Sequence, residues 1–243
     1  MIALIDYKAG NLTSVKKALA TIGAPVVVPT SPEELAEVSG IIVPGVGHFG
    51  ATRALEGEWT EAILARLGEG RPLFGICLGM QWLYEGSDEA PDCPGLGLLS
   101  GRCYRLGTVR LKPDTTYEEM NETGGAAEDV GRVRLPTSAP IVGRGATAGR
   151  QADRDIKVPH VGWNSLAIQS EASIVDGISP NVQMYFTHSY AAPITGDTVA
   201  VTEHGEPFAA IVQRGYVAGV QFHPEKSGDA GLRILRNFVE LVG

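Results

Sequence analysis

At 243 residues, with 44% hydrophobic and 20% charged side chains, the chain is long enough for one substantial core, and its net charge of −8 argues against a general nucleic-acid-binding surface. Its three cysteines, Cys77, Cys93 and Cys103, form an odd set without metal-ligand or disulfide spacing, which fits a reducing cytoplasm and calls for no metal or cofactor. No leader pattern opens it, and no apolar run is long enough to span a bilayer.

Residues 2–6 form a short apolar run that reads as a buried parallel strand. Leu12, Val15, Ala18, Leu19 and Ile22 then recur at helical spacing until Gly23 stops them. Residues 25–28 predict a second strand, and Ser31, Pro32 and Glu34 are placed as a capping box with proline at the first helical position. A third strand at 41–43 ends in Pro-Gly-Val-Gly-His-Phe-Gly at 44–50. Residues 60–67 predict a helix closed by Gly68, and 73–76 a fourth strand that arrives at Cys77. Leu78, Met80, Leu83 and Tyr84 start another helix directly after it. Such alternation predicts a mostly parallel sheet with helices on both faces and a site at the C-terminal ends of its strands.

After Ser100 the pattern changes. Residues 103–111 read as a strand, but 112–155 have little periodicity and are rich in Gly, Thr, Ala, Arg and Glu. The expectation is one domain over 1–243 carrying a surface insertion at about 107–156. Regular structure resumes at Val158. Residues 183–190, 198–203, 207–213 and 217–222 predict four short strands with turn signals at Gly205 and Gly215, hence an antiparallel extension of the sheet. Leu232, Leu235, Phe238, Val239 and Val242 stripe a C-terminal helix. The fold class expected is α/β, with a mostly parallel central sheet flanked by helices and extended by antiparallel strands.

The chemistry concentrates at Gly-Ile-Cys-Leu-Gly-Met-Gln, residues 75–81. Strand, sharp turn and helix around a nucleophile, with Gly75 and Gly79 two residues to either side of Cys77, is the pattern of a nucleophile elbow. A cysteine beside a glycine-rich turn is more often structural, but His223-Pro224-Glu225 after the strand at 217–222 changes that balance. Proline holds the residue before it extended, so His223 and Glu225 project to the same side and the carboxylate can fix the imidazole tautomer. Acyl chemistry also needs donors for a developing oxyanion. One is the Leu78 N–H; the other is expected from Val46 and Gly47 of the Pro-Gly-Val-Gly loop, which taken alone reads equally well as a tight or phosphate-binding turn. The loop lacks the Gly-Lys-Ser/Thr ending of a Walker nucleotide site.

These segments resemble the class I, triad-type glutamine amidotransferases. Five further blocks are similar to the branch of that family that serves imidazole glycerol phosphate synthase in histidine biosynthesis. They are Asp6-Tyr7 with Gly10-Asn11-Leu12 and Ser14-Val15, the run at 44–50, Lys-Val-Pro-His-Val-Gly-Trp-Asn at 157–164, Tyr-Phe-Thr-His-Ser-Tyr at 185–190, and His-Pro-Glu-Lys-Ser at 223–227. The resemblance implies a flavodoxin-like fold and a glutaminase with Cys77, His223 and Glu225 as triad. It also implies that Gln81 and the backbone around Ser189 and Tyr190 hold glutamine, with Gly47 and Leu78 lining the pocket. The implied partner is a (β/α)₈ cyclase in a heterodimer, with Asn11, Trp163 and Lys226 on the partner side. Nucleic acid and membrane are not implied. His160, His188 and Trp163 read on their own as strand or core residues, and the match of their blocks to the family points them toward pocket or interface roles; His48 and His204 are read as structural or surface residues, and Cys93 and Cys103 as inert. The competing functions are a glutaminase of another synthase, such as the anthranilate or aminodeoxychorismate enzymes, a silent binding subunit, and a stand-alone cysteine hydrolase. The block at 157–164 weighs against the first of these and the intact triad residues against the second.

Overall fold

The computed structural model describes residues 1–107 and 156–243, so the expected insertion at about 107–156 lies almost entirely outside it. Strand β1 (Ile2–Leu4) is fully buried, and its side chains alternate between two cores. Ile2 and Leu4 join one; Ala3 and the following Ile5 join the other. Helix α1 (Leu12–Thr21) buries Val15, Ala18 and Leu19, and it ends ahead of Gly23, whose φ of +74 only glycine adopts freely. After β2 (Val26–Val27), the segment Pro32–Glu37 is a 3₁₀ helix and not the capped α-helix expected, since the Ser31 side chain makes no cap hydrogen bond. Glu34 turns instead to the Thr30 hydroxyl at 2.6 Å, which removes the reciprocal partner that a capping box needs.

Strand β3 (Gly40–Gly45) is buried along its whole length. Helix α2 (Glu58–Gly68) starts earlier than its apolar spacing indicated because Glu58 and Glu61 occupy the first turn, where the helix dipole favours them. Strand β4 (Leu73–Cys77) leads straight into the five-residue helix α3 (Leu78–Trp82). Strands β5 (Gly86–Ser87), β6 (Ala90–Pro94) and β7 (Arg102–Arg105) follow; the last is shorter than the strand expected at 103–111. After residue 156 come β8 (His160–Ser165), β9 (Ala167–Ile168), β10 (Gln183–His188), β11 (Tyr190–Ala191), β12 (Thr198–His204), β13 (Glu206–Arg214), β14 (Val217–Val220) and α4 (Gly228–Val242).

The main sheet has the order β2-β1-β3-β4-β14-β13-β12-β9. From β2 to β14 neighbours are parallel; β13, β12 and β9 continue antiparallel, as the extension was expected to. Gly205 and Gly215, at φ +75 and +56, make the turns that flank β13. One expected strand falls elsewhere: β10 pairs with β8 in a separate two-stranded sheet, because β9 already covers the free edge of β12. Strands β11, β7, β5 and β6 make a third small sheet. Helices lie on both faces of the main sheet. The α1 and α4 stripes pack with Ile42, Phe74, Ile76 and Val220, while α2 and α3 pack with Ile41, Val43 and Leu73. Phe74 and Phe238 stack with centroids 5.0 Å apart, pinning α4 to the centre of the sheet. No helix among the described residues is long and apolar enough to cross a membrane.

Candidate active site

Parallel register brings three strand ends together. Gly45 of β3 lies beside Cys77 of β4, and Val220 of β14 lies beside Ile76, so the residues that follow β14 flank the cysteine from the other side. At Cys77 the backbone leaves the strand abruptly, with φ 52 and ψ −105. A residue with a β-carbon pays about 1–3 kcal/mol to stay in such a conformation, so the surroundings must hold it there. They do. A β-carbon on Gly75 would lie 2.6 Å from the Gly79 carbonyl group, and one on Gly79 would strike the Val43 carbonyl. Both glycines are there for space, and the elbow expected from their spacing is present.

His223 is fixed by its backbone. Its N–H donates to Tyr185 O at 2.9 Å, and its carbonyl accepts the Ser227 hydroxyl at 2.7 Å. The imidazole Nδ1 meets Glu225 Oε1 at 2.9 Å with both side chains only 1% exposed. Facing a carboxylate, Nδ1 carries a proton, which leaves Nε2 to exchange protons with a reacting group. Nε2 is buried and makes no hydrogen bond of good geometry, although the Cys77 thiol is close enough to favour its protonation. Burial opposes the imidazolium, but interactions with Cys77 and Glu225 outweigh it and push His223 up to about 10. The three residues named from the sequence are therefore brought into one buried assembly.

A cavity of about 290 Å³ opens over Cys77, lined among others by Gly47, Leu78, Gln81, Ser189 and Tyr190. Leu78 is the first residue of α3, so its N–H has no partner within the helix. The Val46 N–H points away from the cavity: it donates to Ala9 O at 2.6 Å, so it is not an oxyanion donor in this conformation. Gln81 lines the cavity with its Nε2 held by Tyr190 O at 2.8 Å and Gln221 Oε1 at 3.1 Å. Around Ser189 and Tyr190 the carbonyls are engaged too, one by Leu106 N–H and the other by Gln81 and His188.

Two residues here were not singled out from the sequence. Glu89 lines the cavity and is held by the Phe49 N–H, 2.6 Å from Oε2. Gln221 donates from Nε2 to the Cys77 sulfur at 3.6 Å. Neither carries a spacing signal: Glu89 sits among other acids between β5 and β6, and Gln221 reads as a strand residue.

The expected partner-side residues divide. Trp163 is 56% exposed on β8, edge-on to Tyr185 of β10, and Lys226 Nζ lies 5.7 Å from the centre of the same Tyr185 ring. Val161, 58% exposed, alternates with Trp163 onto that face. Asn11 is the N-cap of α1, its Oδ1 accepting from Ser14 N at 3.4 Å, a structural duty in its own right. His48 likewise caps the 3₁₀ helix Phe49–Leu55 through Nδ1, and Cys93 and Cys103 are buried.

A family profile described as "Glutamine amidotransferase class-I" matches residues 3–242. The chain is 36% identical to the "Imidazole glycerol phosphate synthase subunit HisH" of Methanothermobacter thermautotrophicus, covering 100% of this chain and 99% of that protein. It is 39% identical to the protein of the same name from Halobacterium salinarum, over 98% of this chain and 92% of the other. Among solved structures, "Crystal structure of glutamine amidotransferase" matches with a TM-score of 0.64 at 20% identity over the full length of both chains. "Structure of PurLQS from Thermotoga maritima" matches at 0.65 and 15% identity, over 100% of this chain and 98% of that one. Those two likenesses speak for the fold.

Proposed function

The chain belongs to the class-I glutamine amidotransferases, and on that premise we propose how its residues release ammonia from glutamine as the glutaminase subunit of imidazole glycerol phosphate synthase in histidine biosynthesis. Cys77 thiolate attacks the side-chain amide carbon of glutamine. His223, protonated at Nε2, gives that proton to the departing ammonia, leaving a glutamyl thioester on Cys77. His223 then takes a proton from water, which attacks the thioester and releases glutamate. Glu225 keeps Nδ1 protonated and stabilises the imidazolium as it forms.

Leu78 N–H receives the oxyanion. Val46 N–H joins it only after its peptide leaves Ala9, so the conformation described here is a restrained one. Glu89 supplies a carboxylate for the α-ammonium of glutamine, and Gly47 and Ser189 shape the rest of the pocket. The ammonia passes to a (β/α)₈ cyclase bound in a cytoplasmic heterodimer, which makes imidazole glycerol phosphate and an aminoimidazole carboxamide ribonucleotide. Trp163, Val161, Tyr185 and Lys226 form the face offered to that partner, with Asn11 beside it, and residues 1–243 act as a single domain.

The observation that carries this reading is the buried Cys77–His223–Glu225 assembly under a cavity of about 290 Å³. Its test is Cys77→Ala in the complex. Glutamine-dependent synthesis should vanish while synthesis from added ammonia persists; glutamate release by the Ala variant would overturn it.

A further inference from the structure

Polar groups behind Cys77, buried except at the Asn164 end and at Tyr190, form one hydrogen-bonded chain in which every proton can be placed. It begins at Asn164 on β8. Ser165 N–H donates to Asn164 Oδ1 at 2.8 Å, which fixes the amide so that Nδ2 is the donor. Nδ2 gives one hydrogen to Glu203 O at 2.9 Å and the other to His160 Nε2 at 3.2 Å. His160 therefore carries its proton on Nδ1, 3.0 Å from His188 Nε2. His188 accepts there and carries its own proton on Nδ1, which donates to Tyr190 O at 2.8 Å. A backbone carbonyl only accepts, so both ends of the run impose the same two tautomers. Burial pushes His160 to about 4 and His188 to about 3, which keeps both rings neutral near pH 7.

The chain continues beyond Tyr190. Its carbonyl also accepts one Gln81 Nε2 hydrogen, at 2.8 Å, and the other goes to Gln221 Oε1 at 3.1 Å. That contact turns the Gln221 amide so that Nε2, not Oε1, meets the Cys77 sulfur at 3.6 Å. Reversing the Gln221 amide would set its oxygen against a thiolate and its N–H group against that of Gln81. Reversing Gln81 would set its oxygen against the Tyr190 carbonyl. Gln221, Gln81, His160 and His188 are all less than a tenth exposed, so water does not rescue a wrong orientation.

We propose that Gln221 is a further catalytic residue, an amide donor that stabilises the Cys77 thiolate, and that Gln81, His188 and His160 are positioning residues that hold its amide in the donating orientation. The proposal rests on the glutaminase reading only in taking Cys77 as the nucleophile. The other ionisable groups around that sulfur are His223, backed by Glu225, Tyr7 from the turn after β1, and Glu89 across the cavity.

The test needs no glutamine, so its failure is separable from failure of the reaction itself. In the full chain with ¹⁵N-labelled histidine, long-range proton–nitrogen spectra at pH 7 should show His160 and His188 as neutral Nδ1–H tautomers. With five histidines in the chain, single-site variants suffice for assignment. Alkylation of Cys77 by iodoacetamide at pH 7 should be about tenfold slower in Gln221→Met, as expected for loss of one hydrogen bond to a charged sulfur. In His188→Phe, which keeps an aromatic ring against Phe208, it should be slower by several-fold. A merely structural role for the chain would leave alkylation unchanged in both variants. An Nε2–H tautomer at either histidine, or a wild-type alkylation rate in folded Gln221→Met, would overturn the proposal. Should Gln221→Met fail to fold, the His188→Phe alkylation rate decides in its place, and a wild-type rate there overturns the proposal.

Discussion

Replacing Val46 with proline tests the restrained state directly. The Val46 N–H now sits on Ala9 O at 2.6 Å, and a bond of that kind is worth about 0.5–1.5 kcal/mol net. That holds the inward-pointing conformer at roughly a tenth to a third of the population, before any partner contact is counted. The joint is built to turn. Gly47 has a φ of +98 with open space around the place of its missing β-carbon, so it is glycine for its backbone and not for room. Gly45 is glycine for the opposite reason, since a β-carbon there would strike the Tyr7 hydroxyl and sit 2.7 Å from Leu78 Cβ. One oxyanion donor is worth about two to three orders of magnitude in rate. Proline has no N–H in either orientation, so Val46→Pro should cut glutamate release by the partner complex with its nucleotide ligand by about that factor. Release by the subunit alone, already held to that tenth-to-third population, should show a loss about three- to tenfold smaller. Steady-state glutamate assays on both, with Cys77 alkylation to check that the elbow survives, make the comparison. Full stimulation in a folded Val46→Pro protein would refute the reasoning.

Other perturbations have equally definite outcomes. His223→Ala should cost roughly two to four orders of magnitude in turnover, and near-normal turnover would remove it from the mechanism. Glu225→Gln should be milder, because an amide still orients the imidazole although it cannot stabilise the imidazolium; kcat in the complex is the measure. The raised His223 value also has a stability consequence. Its folded value of about 10 lies above the ordinary 6.5, so the stabilisation is complete below about pH 6.5 and is lost as pH climbs toward 10. Thermal melts across that window should slope downward in the native chain and be flatter in Glu225→Gln. Glu89→Gln should raise KM for glutamine by about tenfold or more with a smaller change in kcat, the signature of lost binding to the α-ammonium. An unchanged KM would remove Glu89 from the substrate site.

The parts of this site that were legible in the sequence are those whose constraint is local. Gly75 and Gly79 announce the elbow because a sharp strand-to-helix turn leaves no room for side chains at those two positions, and the structure shows the backbone that would collide with them. His223 and Glu225 are readable because the proline between them fixes how both project, and they meet at 2.9 Å. Strand β10 was misplaced because its apolar alternation fits either of two sheets; which edge it joins depends on β9 having already filled the rim of β12. Glu34 was read as half of a capping box because the spacing allowed it, but a hydroxyl one residue outside that spacing, on Thr30, took its carboxylate.

Gln221 and Glu89 were not legible for a deeper reason. A donor to the Cys77 sulfur is defined by β14 lying beside β4, 144 residues away along the chain, and nothing near Gln221 in sequence records that neighbour. Gln81 is legible as a pocket residue but not as a support. Its place one turn into the helix after the nucleophile suggests a hand on the substrate, yet the fold has already assigned both of its N–H groups to protein acceptors. What remains for a ligand is its carbonyl oxygen. A substrate amide can therefore meet Gln81 only as a donor, and Gln81→Glu separates the two duties. The carboxylate would still accept from the substrate, but it would set oxygens against Tyr190 O and Gln221 Oε1. If Gln81 serves chiefly as a support, the variant should lose kcat and slow Cys77 alkylation together. If it serves chiefly as a substrate ligand, alkylation should be untouched and any loss should appear in KM.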